Sequence, residues 1–203
     1  MDPQAMTAGD SRAAAPRQSR ARTLAIMTIT ALVIVAVAWV VNQPKASAEG
    51  VTSVTLSGAA TGDAPTVGQP APDFRATTVD GKTVRLSDFK GKPVWLTFGA
   101  SWCQPCRAEN PDIKAVYEKA KASGLEVLAV FISEDAAAVR DYADRVGLAY
   151  GKVADPDTTI ASQYRILGIP SHFFIDSAGV LREMKIGSLD QAGMLRSIEA
   201  LRP

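Results

Sequence analysis

The chain has 203 residues, with 22 Lys plus Arg against 21 Asp plus Glu and a formal net charge of +1. That balance gives no electrostatic ground for a nucleic-acid partner, and a hydrophobic content of 47% excludes wholesale disorder. Two cysteines and one histidine exclude both a disulfide-dense scaffold and a four-ligand Cys/His zinc site; no cofactor is expected.

Residues 1–23 carry Arg12, Arg17, Arg20 and Arg22, and residues 24–41 (LAIMTITALVIVAVAWVV) carry no charge. As a helix, such a run covers about 27 Å, close to the hydrocarbon thickness of a bilayer. Trp39 stands near its far end, where an amphipathic ring suits the interface, and the next basic residue is Lys45. The arginines predict a cytoplasmic segment 1–23, a transmembrane helix 24–41, and everything beyond on the outer side of the cell membrane. The alternative is a signal peptide cut after Ala46-Ser47-Ala48, with a secreted product. The run exceeds the usual signal core of about 7–15 residues, which favours the uncleaved anchor. Residues 42–66 are small and polar, a flexible spacer with a short extended piece at 51–56. The folded domain is expected over 67–203. Counted from residue 64, seventeen basic side chains meet seventeen acidic ones.

Apolar periodicity orders the rest. Segments 73–78 and 83–86, joined by Asp80-Gly81, predict a hairpin. The runs 94–98 (VWLTF) and 126–132 (EVLAVFI) read as strands buried on both faces. A helix over 105–123 ends at Gly124, a second over 135–146 ends at Gly147, and a third covers 157–164. Strands 172–175 and 180–186 flank a turn at 177–179, and an amphipathic helix over 188–201 carries Leu189, Met194, Leu195, Ile198 and Leu201. Phe173, Phe174 and Tyr164 read as core. The pattern predicts an α/β sandwich with a mixed sheet.

Both cysteines fall in Trp102-Cys103-Gln104-Pro105-Cys106, after a buried strand and at the start of a helix. A disulfide closing so short a loop stabilises by only about 2 kcal/mol, and a metal would need ligands the chain lacks. Redox exchange is the chemistry that remains, and an exported location permits it. Cys103 lies at the helix N-terminus, where unpaired amides and the macrodipole favour a thiolate, so it is the expected nucleophile. Pro105 suits the first turn. Cys106, one turn further on, is the expected resolving thiol, and Cys103–Cys106 the redox-active disulfide.

The W-C-Q-P-C motif between strand and helix is similar to that of the thioredoxin fold. The longer pattern VGQPAPDF…DGKTVRLSDFKGKPVWLTFGASWCQPCRAENP, continued by ADPDTTIASQYRILGIPSHFFIDSAGVL, resembles the membrane-tethered TlpA/ResA-like thiol-disulfide oxidoreductases over nearly all of residues 64–203. The resemblance implies a thioredoxin fold with an N-terminal β-hairpin and a central helix–strand insertion. It implies that Pro170 follows a cis peptide bond, that the backbone at Ile169 receives an extended substrate segment beside Cys103, and that Pro111 bends the active-site helix. Thioredoxins carry a buried aspartate where this chain has Thr97. The TlpA/ResA-like relatives instead carry a glutamate three residues after the second cysteine, which makes Glu109 the expected group for proton transfer at Cys106. Trp102 reads equally as a substrate contact and as packing. His172, two residues past Pro170, either points towards the dithiol or packs.

Gln104-Pro105 lacks the histidine of strongly oxidising relatives, and Ile169 is the residue thioredoxin itself uses. Both lean towards a reductant of protein disulfides. The resemblance implies a membrane electron donor and clients such as wrongly paired cysteines or apocytochrome c. Two alternatives stay open: a peroxiredoxin-like thiol peroxidase, disfavoured by the lack of a Pro-x-x-x-Thr-x-x-Cys setting, and a non-catalytic tethered binding module.

Overall fold

The computed structural model describes residues 18–41, with side chains from 22 to 38, and residues 50–201. The chain divides into two units, Met1–Ser47 and Ala48–Pro203. The first holds α1 (Gln18–Val41). Its described side chains are all exposed, and the Thr28 and Thr30 hydroxyls donate back to the carbonyls of Leu24 and Ile26 at 3.0 and 2.8 Å. Among the described residues no helix is long and apolar enough to cross a membrane. Residues 39–41 of the expected span, Trp39 included, lie outside the described side chains, as do Arg12, Arg17, Arg20 and the Ala46-Ser47-Ala48 site.

The second unit runs β1 (Thr52–Ser53), β2 (Arg75–Thr77), β3 (Thr83–Arg85), β4 (Val94–Gly99), α2 (Gln104–Ala120), β5 (Glu126–Ile132), α3 (Ala136–Val146), β6 (Gly151–Asp155), α4 (Thr159–Gln163), β7 (Gly168–Ile169), β8 (Ser171–Ile175), β9 (Leu181–Ile186) and α5 (Gln191–Glu199). The main sheet has the order β6-β5-β4-β8-β9. β4, β5 and β6 are parallel, while β8 and β9 run antiparallel. The central strands are buried along almost their whole length, which explains their unbroken apolar sequence.

Side chains alternate across a strand, so the sheet sorts them into two cores. Leu96, Phe98, Leu128, Val130 and Phe173 join Phe74, Leu86 and Tyr164 on one face, together with both cysteines. Trp95, Val127, Phe131 and Phe174 join Ile113 and Val116 of α2 and Met194 and Ile198 of α5 on the other. Leu195, expected on the same helical face, is 40% exposed.

Caps set the helix limits. The Asp135 and Asp190 carboxylates accept the N–H groups of Ala138 and Gly193 at 2.9 and 2.7 Å, opening α3 and α5. Gly147, at φ +66°, closes α3 in the left-handed conformation that glycine tolerates. The expected helix over 157–164 shrinks to α4 because the Asp155 carboxylate takes the N–H groups of Ile160 and Ala161 at 3.2 and 2.9 Å. Apolar periodicity did not place β6: Gly-Lys-Val-Ala-Asp on a sheet edge offers little apolar signal.

Part of the stretch read as a spacer packs on the domain. β1 pairs antiparallel with β7, placing Thr52 opposite Ile169 and Ser53 opposite Gly168. The Ser57 and Gly58 N–H groups donate to the Thr158 hydroxyl at 2.8 and 3.0 Å.

Candidate active site

β4 ends at Gly99, and the chain turns through Ala100 and Ser101 into the first cysteine. Glu134, just past β5 and 8% exposed, holds that turn: one carboxylate oxygen accepts the Ser101 N–H at 2.7 Å and the other accepts its hydroxyl. Cys103 is the N-cap of α2, with Pro105 in the first turn. Its sulfur accepts the Cys106 N–H at 3.2 Å, a bond that would also hold a thiolate. Cys103 and Cys106 form a disulfide. They are 1% and 5% exposed.

The bond Ile169–Pro170 is cis. The Ile169 carbonyl oxygen lies 4.0 Å from Cys103 Sγ, and Pro170 shares a small cavity with Cys106, Glu109, Asn110 and Thr97. Its volume, about 20 Å³, is that of roughly one water molecule. Glu109, 4% exposed, shares that cavity with Cys106, three residues before it on α2 and so on the same side of the helix. Its Oε2 accepts the Leu189 N–H at 3.2 Å, and its Oε1 lies 3.4 Å from His172 Nε2.

The fold therefore gathers Cys106, Glu109 and Pro170 around one small cavity, with Cys103 bonded to Cys106 and facing the Ile169 carbonyl. Trp102 is 48% exposed, so it is a surface side chain beside the disulfide and not core packing. His172 is fully buried. It sits on β8 opposite Thr97 of β4, on the face that receives α2, and meets Glu109 and not the dithiol. Pro111 stands inside an unbroken α2. Two residues near the site were not singled out in the sequence. Glu134 carried a legible signal, an acidic side chain just beyond the carboxyl end of a parallel strand. Thr52, whose hydroxyl lies 3.7 Å from Cys103 Sγ, carried none.

The family described as AhpC/TSA matches residues 67–184. The thiol-disulfide oxidoreductase ResA of Geobacillus kaustophilus is 35% identical over 137 residues, 68% of this chain and 79% of that protein. ResA of Bacillus subtilis is 30% identical over 67% of this chain and 76% of its own. Among solved structures, a thiol:disulfide interchange protein of the thioredoxin family from Chlorobium tepidum superposes with a TM-score of 0.61 at 30% identity, covering 70% of this chain and all of the other. The exposed lipoprotein thioredoxin Etrx1 of Streptococcus pneumoniae gives 0.54 at 33%, covering 63% of this chain and 98% of its own.

Proposed function

We propose, from the premise that this chain belongs to the AhpC/TSA family and is a thiol-disulfide oxidoreductase of the ResA type with a thioredoxin fold, that it works outside the cytoplasm as a reductant of protein disulfides, held at the membrane by α1. The observation that carries the reading is the Cys103–Cys106 disulfide capping α2 beside the Ile169 carbonyl, with buried Glu109 lining the same cavity as Cys106.

In the forward direction the Cys103 thiolate attacks one sulfur of a client disulfide. A mixed disulfide forms, and the other client sulfur leaves as a thiolate. Cys106 then loses its proton towards Glu109, directly or through one water in the shared cavity, and attacks Cys103 Sγ. The mixed disulfide breaks, the second client thiolate departs, and two electrons have passed to the client. The backbone at Ile169 and Pro170 receives the client strand, and exposed Trp102 is a further contact for it.

The direction rests on Gln104-Pro105 and Ile169, which lean towards a reducing couple. A reductant outside the cytoplasm needs a membrane electron donor, and cysteines of apocytochrome c before haem attachment are one client class consistent with this family. The location is supported by the arginines before residue 24, the apolar run 24–41 and its helical conformation in α1. The pneumococcal relative is described as an exposed lipoprotein.

The deciding experiment is the reduction potential of Cys103–Cys106, with reduction of a peptide disulfide by the dithiothreitol-charged protein. A potential near −270 mV, about that of thioredoxin, is expected; one near about −120 mV would make the protein an oxidant.

A further inference from the structure

A disulfide-exchanging sulfur has to be reached by its partner, because exchange proceeds by attack of one sulfur on another. Cys103 is 1% exposed. β1 of the chain itself lies beside it. Thr52 faces Ile169 across a strand pair and Ser53 faces Gly168. The Val54 N–H donates to the Leu167 carbonyl at 3.3 Å. The Thr52 hydroxyl oxygen is 3.7 Å from Cys103 Sγ.

This seat is shaped for the segment. A Cβ on Gly168 would stand 2.6 Å from Val51 Cγ1, and one on Gly187, already at φ +97°, 3.0 Å from Val51 Cγ2. Both glycines leave the room that Val51 fills. Upstream, the Gly50 carbonyl accepts the Ser188 N–H at 3.2 Å. Downstream, Ser57 and Gly58 are pinned on Thr158, and a Cβ on Gly58 would stand 2.7 Å from the Thr158 carbonyl oxygen. Between these anchors the paired strand is two residues long, short enough to open without unfolding the domain.

We propose that residues 51–54 are a built-in occupant of the client site, with the Thr52 side chain standing where a client cysteine places its sulfur. The inference rests on the exchange chemistry proposed above and adds to it a client class and a control. The client is an extended segment with a free backbone edge. Its cysteine pairs with Ile169, and a side chain no larger than valine precedes it. To bind, it must displace β1, so the fraction of molecules with β1 released scales the rate of exchange.

Thr52→Cys in the full-length oxidised chain tests the seat. The introduced thiolate attacks Cys103 Sγ, the Cys103–Cys106 bond breaks, Cys106 leaves as a thiolate, and no electrons are gained or lost. Alkylation followed by peptide mapping should show Cys103 linked to position 52 and Cys106 alkylated. Ser53→Cys, whose side chain points to the opposite face of the strand, should leave the native disulfide in place. Linkage in neither variant, or equally in both, overturns the proposal. The control is tested with Val51→Asp combined with Thr52→Pro. Alkylation of reduced Cys103 by iodoacetamide should accelerate about tenfold or more; a rate within about twofold of the natural chain would overturn it. The natural chain's activity on a peptide disulfide separates the two readings. Linkage at position 52 without any peptide reduction supports the seat and removes the reductant, whereas reduction without linkage does the reverse.

Discussion

Trp95 offers an indole N–H and no acceptor, so its 3.3 Å contact with His172 Nδ1 decides the tautomer of that histidine. Nδ1 is the acceptor, the Thr97 hydroxyl donates to it as well at 3.1 Å, and the ring proton sits on Nε2. That nitrogen is aimed at Glu109 Oε1 from 3.4 Å, beyond a well-formed hydrogen bond, and has no closer partner. These groups thus form one buried row, Trp95–His172–Glu109, that ends at the cavity Glu109 shares with Cys106. Two outcomes follow. His172→Phe strands the Trp95 N–H in the core and should lower stability by about 1–3 kcal/mol in urea unfolding. Glu109→Gln keeps an acceptor for the Leu189 N–H but cannot take a proton from Cys106. Resolution of a mixed disulfide at Cys103, followed in stopped flow, should slow on the order of a hundredfold with the fold intact; an unchanged rate removes Glu109 from the mechanism.

The hairpin of β8 and β9 is held by one carboxylate. Asp176 accepts the N–H groups of Ala178 and Val180, both at 2.9 Å, and the Arg182 Nε at 2.6 Å. Burial pushes its pKa up, but the Val180 N–H, the Arg182 guanidinium and the Ala178 N–H push it down by more, leaving it below the ordinary value. A lowered folded pKa means the unfolded chain binds this proton more tightly. Its stabilisation is therefore complete above the unfolded value, about 3.9, and is lost as pH falls through the folded one. Urea midpoints should decline below about pH 4, and Asp176→Asn should flatten that decline while costing about 1 kcal/mol or less at neutral pH. This turn was legible in Ser-Ala-Gly between two apolar runs, as β5 was in EVLAVFI, because local chemistry and burial agree there. β6 and β1 were not. β6 has one buried apolar side chain, Val153, and β1 is a strand only because Gly168 and Gly187, more than a hundred residues away, leave room for Val51. Of the site, the cysteines announced themselves by spacing and Glu109 and Pro170 through the family resemblance, whereas Thr52 owes its place to tertiary pairing alone.

At the scale of the whole chain, two stretches of contrasting chemistry follow one another in sequence. Residues 64–203 balance seventeen basic against seventeen acidic side chains, so no long-range field steers a client. Exchange rates should change less than about twofold between low and high salt. In the proposed reading, locality comes from the N-terminal helix. Ten of the residues in 24–41 are Leu, Ile or Val, each favouring insertion by about 0.3–0.6 kcal/mol near a helix centre, which sums to about 3–6 kcal/mol. The polar groups within the run add little opposition. The Thr28 and Thr30 hydroxyls are already spent on backbone carbonyls within the helix, as an apolar medium demands. Full-length protein should therefore stay with membranes through an alkaline carbonate wash, and protein lacking residues 1–47 should not. Replacing Val33 and Val37 together by Asp costs about 5–7 kcal/mol, enough to cancel the whole insertion energy. That double variant should appear mainly in the carbonate supernatant with its disulfide exchange intact. Retention in the pellet would mean that something other than α1 holds the protein at the membrane.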